Sequence, residues 1–174
     1  MASSHFMRFT NGLGFQGKFY VISLQGTLAE MDTIGSTVEI TRISKTRMVP
    51  SCDCKCFREY MIEWEGKVLV VFLISRQSAN TIDAVKVYRL KCKELAWKSV
   101  KNLNGKSLLI GLNCAVSAAA SDAGLNCAVS AAASDAGLNE DTIYFSSGCR
   151  WWEYDFFSNT ISATNYRNNV LKLI

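Results

Sequence analysis

The feature that most constrains this chain is a series of short β-type runs, each ended by turn residues. No window outside an alanine-rich region shows a helical period, so the pattern predicts an all-β fold. At 174 residues the chain is long enough for one domain with its own core. The predicted strands are Lys18–Ser23, Leu28–Met31, Thr37–Ile43, Tyr60–Trp64, Lys67–Ser75, Ala84–Leu90, Leu95–Val100, Thr142–Ser146, Trp152–Phe157 and Thr160–Ala163.

Two of these runs are apolar on both faces. Val68–Ile74 is apolar throughout, and the run beginning at Val85 turns apolar residues to both sides. A strand of this kind needs cover on both faces, so its sheet should lie between two neighbours. Stacked blades of a β-propeller meet that need, and we expect a partial propeller of about three to four antiparallel blades. A β-sandwich is the alternative.

The turns and one alternating strand add detail. Glu65-Gly66 predicts a tight hairpin and Ser158-Asn159 the last turn of the series. In Thr37–Ile43, strict alternation places Val38, Ile40 and Arg42 on one face of the strand and Ile43 on the other.

An identical tandem repeat interrupts the series. Gly111–Ala123 recurs without change as Gly124–Ala136. An odd insertion of this length would turn every later side chain to the other face if both copies ran as one strand. We therefore expect one copy to occupy a strand-and-turn position and the other to be extruded as a loop or a frayed helical turn.

The composition points to the inside of the cell. Met1–Asn11 has no signal-peptide pattern, and the longest apolar run is far shorter than the roughly 20 residues that cross a bilayer. The seven cysteines are an odd number, which favours free thiols in a reducing compartment. We expect a soluble, cytoplasmic or nuclear protein with no membrane partner.

Two glycine motifs resemble phosphate-binding loops. Gly12–Gly17 matches G-x-G-x-x-G, but we expect no strand before it and a strand, not a helix, after it. The stretch Asn104–Ser107 resembles the end of a P-loop, but the required first glycine would fall at Val100. We interpret the first motif as a glycine-rich turn and the second as a hairpin turn, and predict no cofactor.

The remaining candidates for chemistry fail in their context. Cys52, Cys54 and Cys56 could present three thiols to zinc or copper(I), but no second ligand pair accompanies them, so we expect free thiols and no metal. The single histidine, His5, stands near the terminus. Glu153 and Asp155 share a strand face, where we expect solvent-facing charge or turn capping. The sequence predicts no catalytic residue and no enzyme.

A basic stretch runs from Lys86 to Lys106. It holds seven Lys or Arg and one acidic residue, with Tyr88 and Trp97 between them. Such a stretch could meet phosphates and stack on bases, whereas a solvated strand edge is the plain alternative. Nucleic acid is not the partner that we expect. The tryptophans Trp64, Trp151 and Trp152 are interpreted as packing residues.

The order of several motifs resembles the plant F-box-associated, KIB-type β-propeller family, over about Phe15 to Ala163. These motifs are Phe15–Tyr20, Glu59-Tyr60, Gly66–Val71, Val85–Leu90, Trp97–Val100, Leu103–Gly111, Gly137-Leu138, Asp141–Phe145 and Tyr154–Phe156. The resemblance implies a kelch-like propeller that binds a protein. In many members an F-box recruits Skp1 and a cullin ubiquitin ligase. We find no F-box pattern here, so we do not expect Skp1 or cullin recruitment.

These observations divide the chain into a flexible segment (1–14), a KIB-type domain (15–165) and a tail (166–174). We expect a non-catalytic module that binds an as yet unknown protein partner. The alternatives are a truncated or decayed paralogue with only a structural role, and a basic nucleic-acid-binding β-domain.

Overall fold

The fold is described from a computed structural model. It covers residues 8–47, 56–78, 81–111, 127–132, 138–147 and 150–164, with backbone alone for 46–47 and 127–132. The elements are all strands: β1 Phe9–Phe15, β2 Lys18–Ser23, β3 Thr27–Ile34, β4 Thr37–Arg47, β5 Cys56–Trp64, β6 Lys67–Ser75, β7 Ala84–Lys91, β8 Ala96–Ser99, β9 Lys106–Gly111, β10 Cys127–Ala132, β11 Thr142–Ser147, β12 Arg150–Asp155 and β13 Thr160–Ala163.

The strands form three sheets. The N-terminal sheet has the order β1-β2-β3-β4 and the central sheet the order β5-β6-β7-β8, both antiparallel throughout. The C-terminal sheet has the order β10-β9-β11-β12-β13, and its β9 and β11 run parallel. The predicted all-β class and blade-like sheets are therefore confirmed, although one sheet is mixed and has five strands.

The central sheet is buried on both faces, as the sequence predicted. Every residue from Val68 to Ile74 is at most 4% exposed. One face of β7 directs Val85 and Val87 into a core shared with the C-terminal sheet. The other face directs Leu90, with Tyr88 beside it, into a core shared with the N-terminal sheet. Burial of this apolar area from both sides is the main force that holds the three sheets together.

Each core combines residues of two sheets. The core between the central and C-terminal sheets comprises Tyr60, Ile62, Trp64, Leu69, Val71, Leu73, Val85, Val87, Leu103, Leu108, Ile110, Ile143, Phe145 and Tyr154. The core between the N-terminal and central sheets comprises Phe15, Tyr20, Ile22, Leu28, Met61, Val68, Val70, Phe72, Ile74, Leu90 and Leu95.

Two predicted turns have the geometry that their residues favour. Glu65 and Gly66 have φ of 50° and 65°, as a two-residue hairpin requires, and they join β5 to β6. Asn104 and Gly105 also have positive φ, at 55° and 74°. This second turn precedes β9 and follows residues 100–103, which are not in a strand. It does not join two paired strands, so the prediction of a hairpin turn is wrong.

A bulge in β4 corrects the alternation expected for that strand. Glu30 pairs with Arg42, whereas the next residue, Met31, pairs with Ile40. Thr41 is therefore the extra residue, and it turns Arg42 to the opposite face from Ile40 and brings Ile43 to the same face.

One strand of the N-terminal sheet was not predicted, and one strand lies in the tandem repeat. Phe9–Phe15 is a strand of the N-terminal sheet. Residues 9–14 therefore belong to this sheet, whereas the sequence had placed them in a flexible segment before the domain. In the second copy of the repeat, Cys127–Ala132 pairs antiparallel with β9, so this copy occupies a strand position, as was expected of one of the two. The matching part of the first copy lies outside the described residues, as does the predicted extrusion.

Candidate functional site

Two neighbouring residues of β5 fasten the central sheet to both of its neighbours. Arg58 donates to the carbonyl of Ser146 at 3.4 Å and to Oγ of Ser147 at 2.8 Å, in the C-terminal sheet. Glu59 faces the other way, where Oγ1 of Thr10 donates to its carboxylate and Nδ2 of Asn11 donates to its carbonyl at 3.1 Å. Burial raises the pKa of the Glu59 carboxyl, and the Thr10 hydrogen bond opposes that shift. These ionisable groups serve as contacts between sheets.

A buried carboxylate lies between the N-terminal and central sheets. Glu30 is 2% exposed and forms ion pairs with Lys18 at 2.5 Å and with Arg42 at 3.2 Å. Arg42 also donates to the backbone carbonyls of Cys92 and Lys93, at 3.3 and 2.6 Å, in the turn after β7. The group thus compensates the buried charge of Glu30 and ties the two sheets together.

Tyr20 lies beside this group. Burial, followed by a hydrogen bond with Cys92 and the nearby charge of Glu30, raises the pKa of the Tyr20 hydroxyl from 10.0 to about 12. The hydroxyl is therefore protonated at neutral pH. A proton held this firmly suits a structural contact better than general acid–base work.

Asp141 fills the turn that resembled a P-loop. Its Oδ1 accepts hydrogen bonds from the backbone N–H groups of Leu103 and of Gly105, the latter at 3.3 Å. A P-loop needs such N–H groups free to cradle phosphate. In this turn the side chain of the protein occupies them, which leaves no phosphate cradle.

The G-x-G-x-x-G glycines serve packing within a sheet. Gly12 and Gly14 lie inside β1, and only Gly17 lies in the turn that follows. A Cβ on Gly12 would lie 3.0 Å from Cγ1 of Val21, and one on Gly14 would lie 3.4 Å from the ring of Phe19. These glycines leave room for the side chains of β2, so the interpretation of the whole motif as a turn is wrong.

The N-terminal sheet carries an exposed apolar surface on the side away from the central sheet. Strand register aligns Phe19, Met31 and Ile40 in one row across it, with Ile43 and Val38 on either side of that row. Phe19, Val38, Ile40 and Ile43 are between 42% and 57% exposed. We call these five residues the outer apolar face.

The carboxylates of β12 act locally. Oδ1 of Asp155 accepts hydrogen bonds from the backbone N–H groups of Phe157 and Ser158, at 2.6 and 3.2 Å, which confirms the predicted turn capping. Glu153 accepts a hydrogen bond from its cross-strand partner Ser162 at 3.2 Å. Neither arrangement forms a pair of opposed carboxylates.

The tryptophans predicted to pack do so where they are described. Trp64 is 4% exposed within the core, and Trp152 packs against the same core and donates from Nε1 to the Ser147 carbonyl at 3.2 Å. Trp151 packs on the opposite face of the C-terminal sheet, beside Leu109 and Tyr144.

The thiol cluster can be followed only in part. Cys56 begins β5 and is half-buried, whereas Cys52 and Cys54 lie outside the described residues. The described residues hold no group of three metal-binding side chains. His5 also lies outside them, and nothing is assigned to it.

A groove beside the junction of the central and C-terminal sheets gathers four cations. It has a volume of about 440 Å³ and is lined by Trp64, Lys67, Leu69, Arg89, Lys98, Ser99, Val100, Lys101, Asn102 and Asn104. We call it the basic groove. The sequence predicted a basic stretch here but not the contribution of Lys67, which comes from a distant part of the chain.

The two aromatic residues of the predicted basic stretch lie elsewhere. Tyr88 and Trp97 pack against the core on the opposite face of the central sheet, and Tyr88 contacts the ring of Phe72 edge-on at 6.2 Å. They are therefore separated from the cations with which the sequence grouped them.

Three blade-like sheets packed face to face are the architecture of the β-propeller class. A family model described as the KIB1-4 beta-propeller matches residues 2–170, and the chain belongs to this family. The match includes residues at both ends that the sequence resemblance had left out. Among curated proteins and among solved structures, no match to the chain was found. Within the described ranges, no helix has the length and apolar character needed to span a bilayer.

Proposed function

We propose that this chain is a non-catalytic protein-binding propeller module whose partner packs on the outer apolar face. The observation that carries the proposal is that four large apolar side chains of one sheet are each 42% or more exposed. A contiguous apolar surface of this kind is typical of a protein-binding site.

The way the sheets pack on one another suggests the kind of partner. Both apolar faces of the central sheet are covered by the apolar face of another sheet. On the outer apolar face, as on the faces of the central sheet, apolar side chains of neighbouring strands lie in rows across the sheet. The partner should therefore be a protein with a flat apolar surface, such as the face of another sheet. The proposal assigns binding, and not Skp1 recruitment, to this chain.

Affinity capture with matched variants tests this proposal. Ile40→Glu places a charge in the outer apolar face, and Ser36→Glu adds the same charge at an exposed position of the β3–β4 turn. We expect the wild type and Ser36→Glu to retain a partner that Ile40→Glu loses, while all three unfold cooperatively at similar denaturant concentrations.

Two results would overturn the proposal. One is retention of the same partners by Ile40→Glu. The other is a wild-type dimer, measured by light scattering, that Ile40→Glu converts to a monomer, because the face would then bind a second copy. Recovery of Skp1 or a cullin with the wild type would instead show that ligase recruitment also belongs to the chain.

A further inference from the structure

The basic groove concentrates positive charge without a described counter-charge. Lys67, Arg89, Lys98 and Lys101 line it, and its lining includes no carboxylate. The ion pairs of the described residues involve other cations, including Lys91 and Lys106. The four cations of the groove are therefore available to an anionic ligand.

The strand register brings two of these cations together. Arg89 of β7 lies directly opposite Lys98 of β8. Like charges directly opposite each other on a sheet destabilise it unless an anion lies between them. A bound anion would relieve this repulsion, so the sheet itself favours occupancy of the groove.

A buried tryptophan with a cation over its ring lines the groove. Trp64 lines the groove and is 4% exposed, and its indole Nε1 is buried without a hydrogen-bond partner among the described residues. The ammonium of Lys67 lies 5.5 Å from the centre of the same ring, which adds positive charge beside this donor.

We propose that the basic groove binds the carboxylate side chains of an acidic peptide segment in a partner protein. The cations supply the charge, and the side-chain amides of Asn102 and Asn104, which also line the groove, supply neutral donors for carboxylate oxygens. This inference rests on the proposed protein-binding function and identifies a second contact with the partner, separate from the outer apolar face.

The groove suits a peptide better than a nucleic acid. Single-stranded nucleic acid needs exposed aromatic faces on which bases stack. The one aromatic ring in the groove, that of Trp64, is buried and has Lys67 over it. A volume of about 440 Å³ accommodates a few side chains but is too small for a strand of several nucleotides.

Fluorescence anisotropy with labelled hexaglutamate tests the inference, with hexaglutamine as the neutral comparison. We expect the full chain to bind hexaglutamate in a salt-sensitive manner and hexaglutamine at least about tenfold more weakly. Arg89→Gln with Lys98→Gln should weaken hexaglutamate binding about tenfold or more. Lys86→Gln with Lys93→Gln removes the same charge outside the groove and should change affinity by less than about twofold.

The outcomes separate this inference from the proposed function. Equal loss of binding in the two double variants, or tighter binding of oligothymidylate than of hexaglutamate, would overturn the acidic-peptide site. Capture of a partner that depends on Ile40 but not on Arg89 and Lys98 would do the same and leave the proposed function standing. Should the Arg89 and Lys98 variant unfold, Lys101→Gln at the exposed rim provides the test, with a smaller loss of affinity expected.

Discussion

The N-terminal and central sheets have the same number of strands in the same order, but they distribute apolar residues differently. The central sheet buries both faces, and Phe72 in its middle is 1% exposed. The N-terminal sheet buries apolar residues on one face only: Leu28 of β3 is 0% exposed in the core shared with the central sheet, whereas Ile40 of β4 is 42% exposed on the other face. Its outward apolar residues therefore belong to a second apolar face of the same sheet. They form a surface that is separate from the core.

The largest expected effect compares one phenylalanine in each sheet. We expect Phe72→Ala to lower the free energy of unfolding by about 3–5 kcal/mol, because it leaves a cavity in a core closed on both sides. Phe19→Ala, where the ring is 51% exposed, should cost about 1 kcal/mol or less. Urea denaturation measures both. Equal losses would show that the outer apolar face is covered in solution.

A second comparison concerns the two cations of Glu30. We expect Arg42→Met to lower the free energy of unfolding by about 1–2 kcal/mol, since it removes an ion pair and the hydrogen bonds to the turn after β7. Lys18→Met removes a single ion pair and should cost about 1 kcal/mol or less, because the ammonium of Lys18 is paired with Glu30 of its own sheet. The same denaturation experiment checks the order. A larger loss for Lys18→Met would mean that Arg42 does not couple the two sheets.

The smallest effect at neutral pH is expected from Tyr20→Phe. Because the folded pKa of Tyr20, at about 12, lies above the ordinary value of 10.0, the folded state retains a proton that the unfolded state loses between these values. The stabilisation from Tyr20 is complete below pH 10.0 and is lost as the pH rises towards 12. Unfolding free energies measured across this range should fall less steeply for Tyr20→Phe than for the wild type. Parallel curves would contradict the shift; Tyr60 and Tyr154, whose pKa values burial also raises, contribute equally to both proteins.

The sequence predicted the strands best where the pattern is local. Lys18–Ser23, Lys67–Ser75 and Thr160–Ala163 were predicted with the bounds observed, because β-rich runs end there at turn residues. Two-sided apolarity also correctly placed the central sheet between neighbours. The strand β1 was missed because Gly12 and Gly14 resemble a turn, and their purpose depends on cross-strand side chains that alternation does not reveal.

The candidate sites were harder to predict because their residues are distant in sequence. Turn capping by Asp155 was expected, since the capped residues follow it directly. The contacts of Arg58 and Glu59 with opposite sheets could be seen only in the folded structure, and so could the presence of Lys67 in the basic groove. The bulge at Thr41 was also missed from the sequence. One added residue turns Arg42 to the other face of the strand, and no local sequence pattern indicates it.

The pairing of β10 with β9 has a consequence for the duplicated segment. The strand Cys127–Ala132 has the same sequence as residues 114–119 of the first copy, so β9 cannot distinguish the two by their side chains. Which copy pairs is decided by the connections alone, through the entropy of closing a shorter or longer loop. Deleting either copy also yields one and the same polypeptide. The duplication therefore supplies the β10 sequence twice, and loss of one copy by recombination would leave a partner for β9.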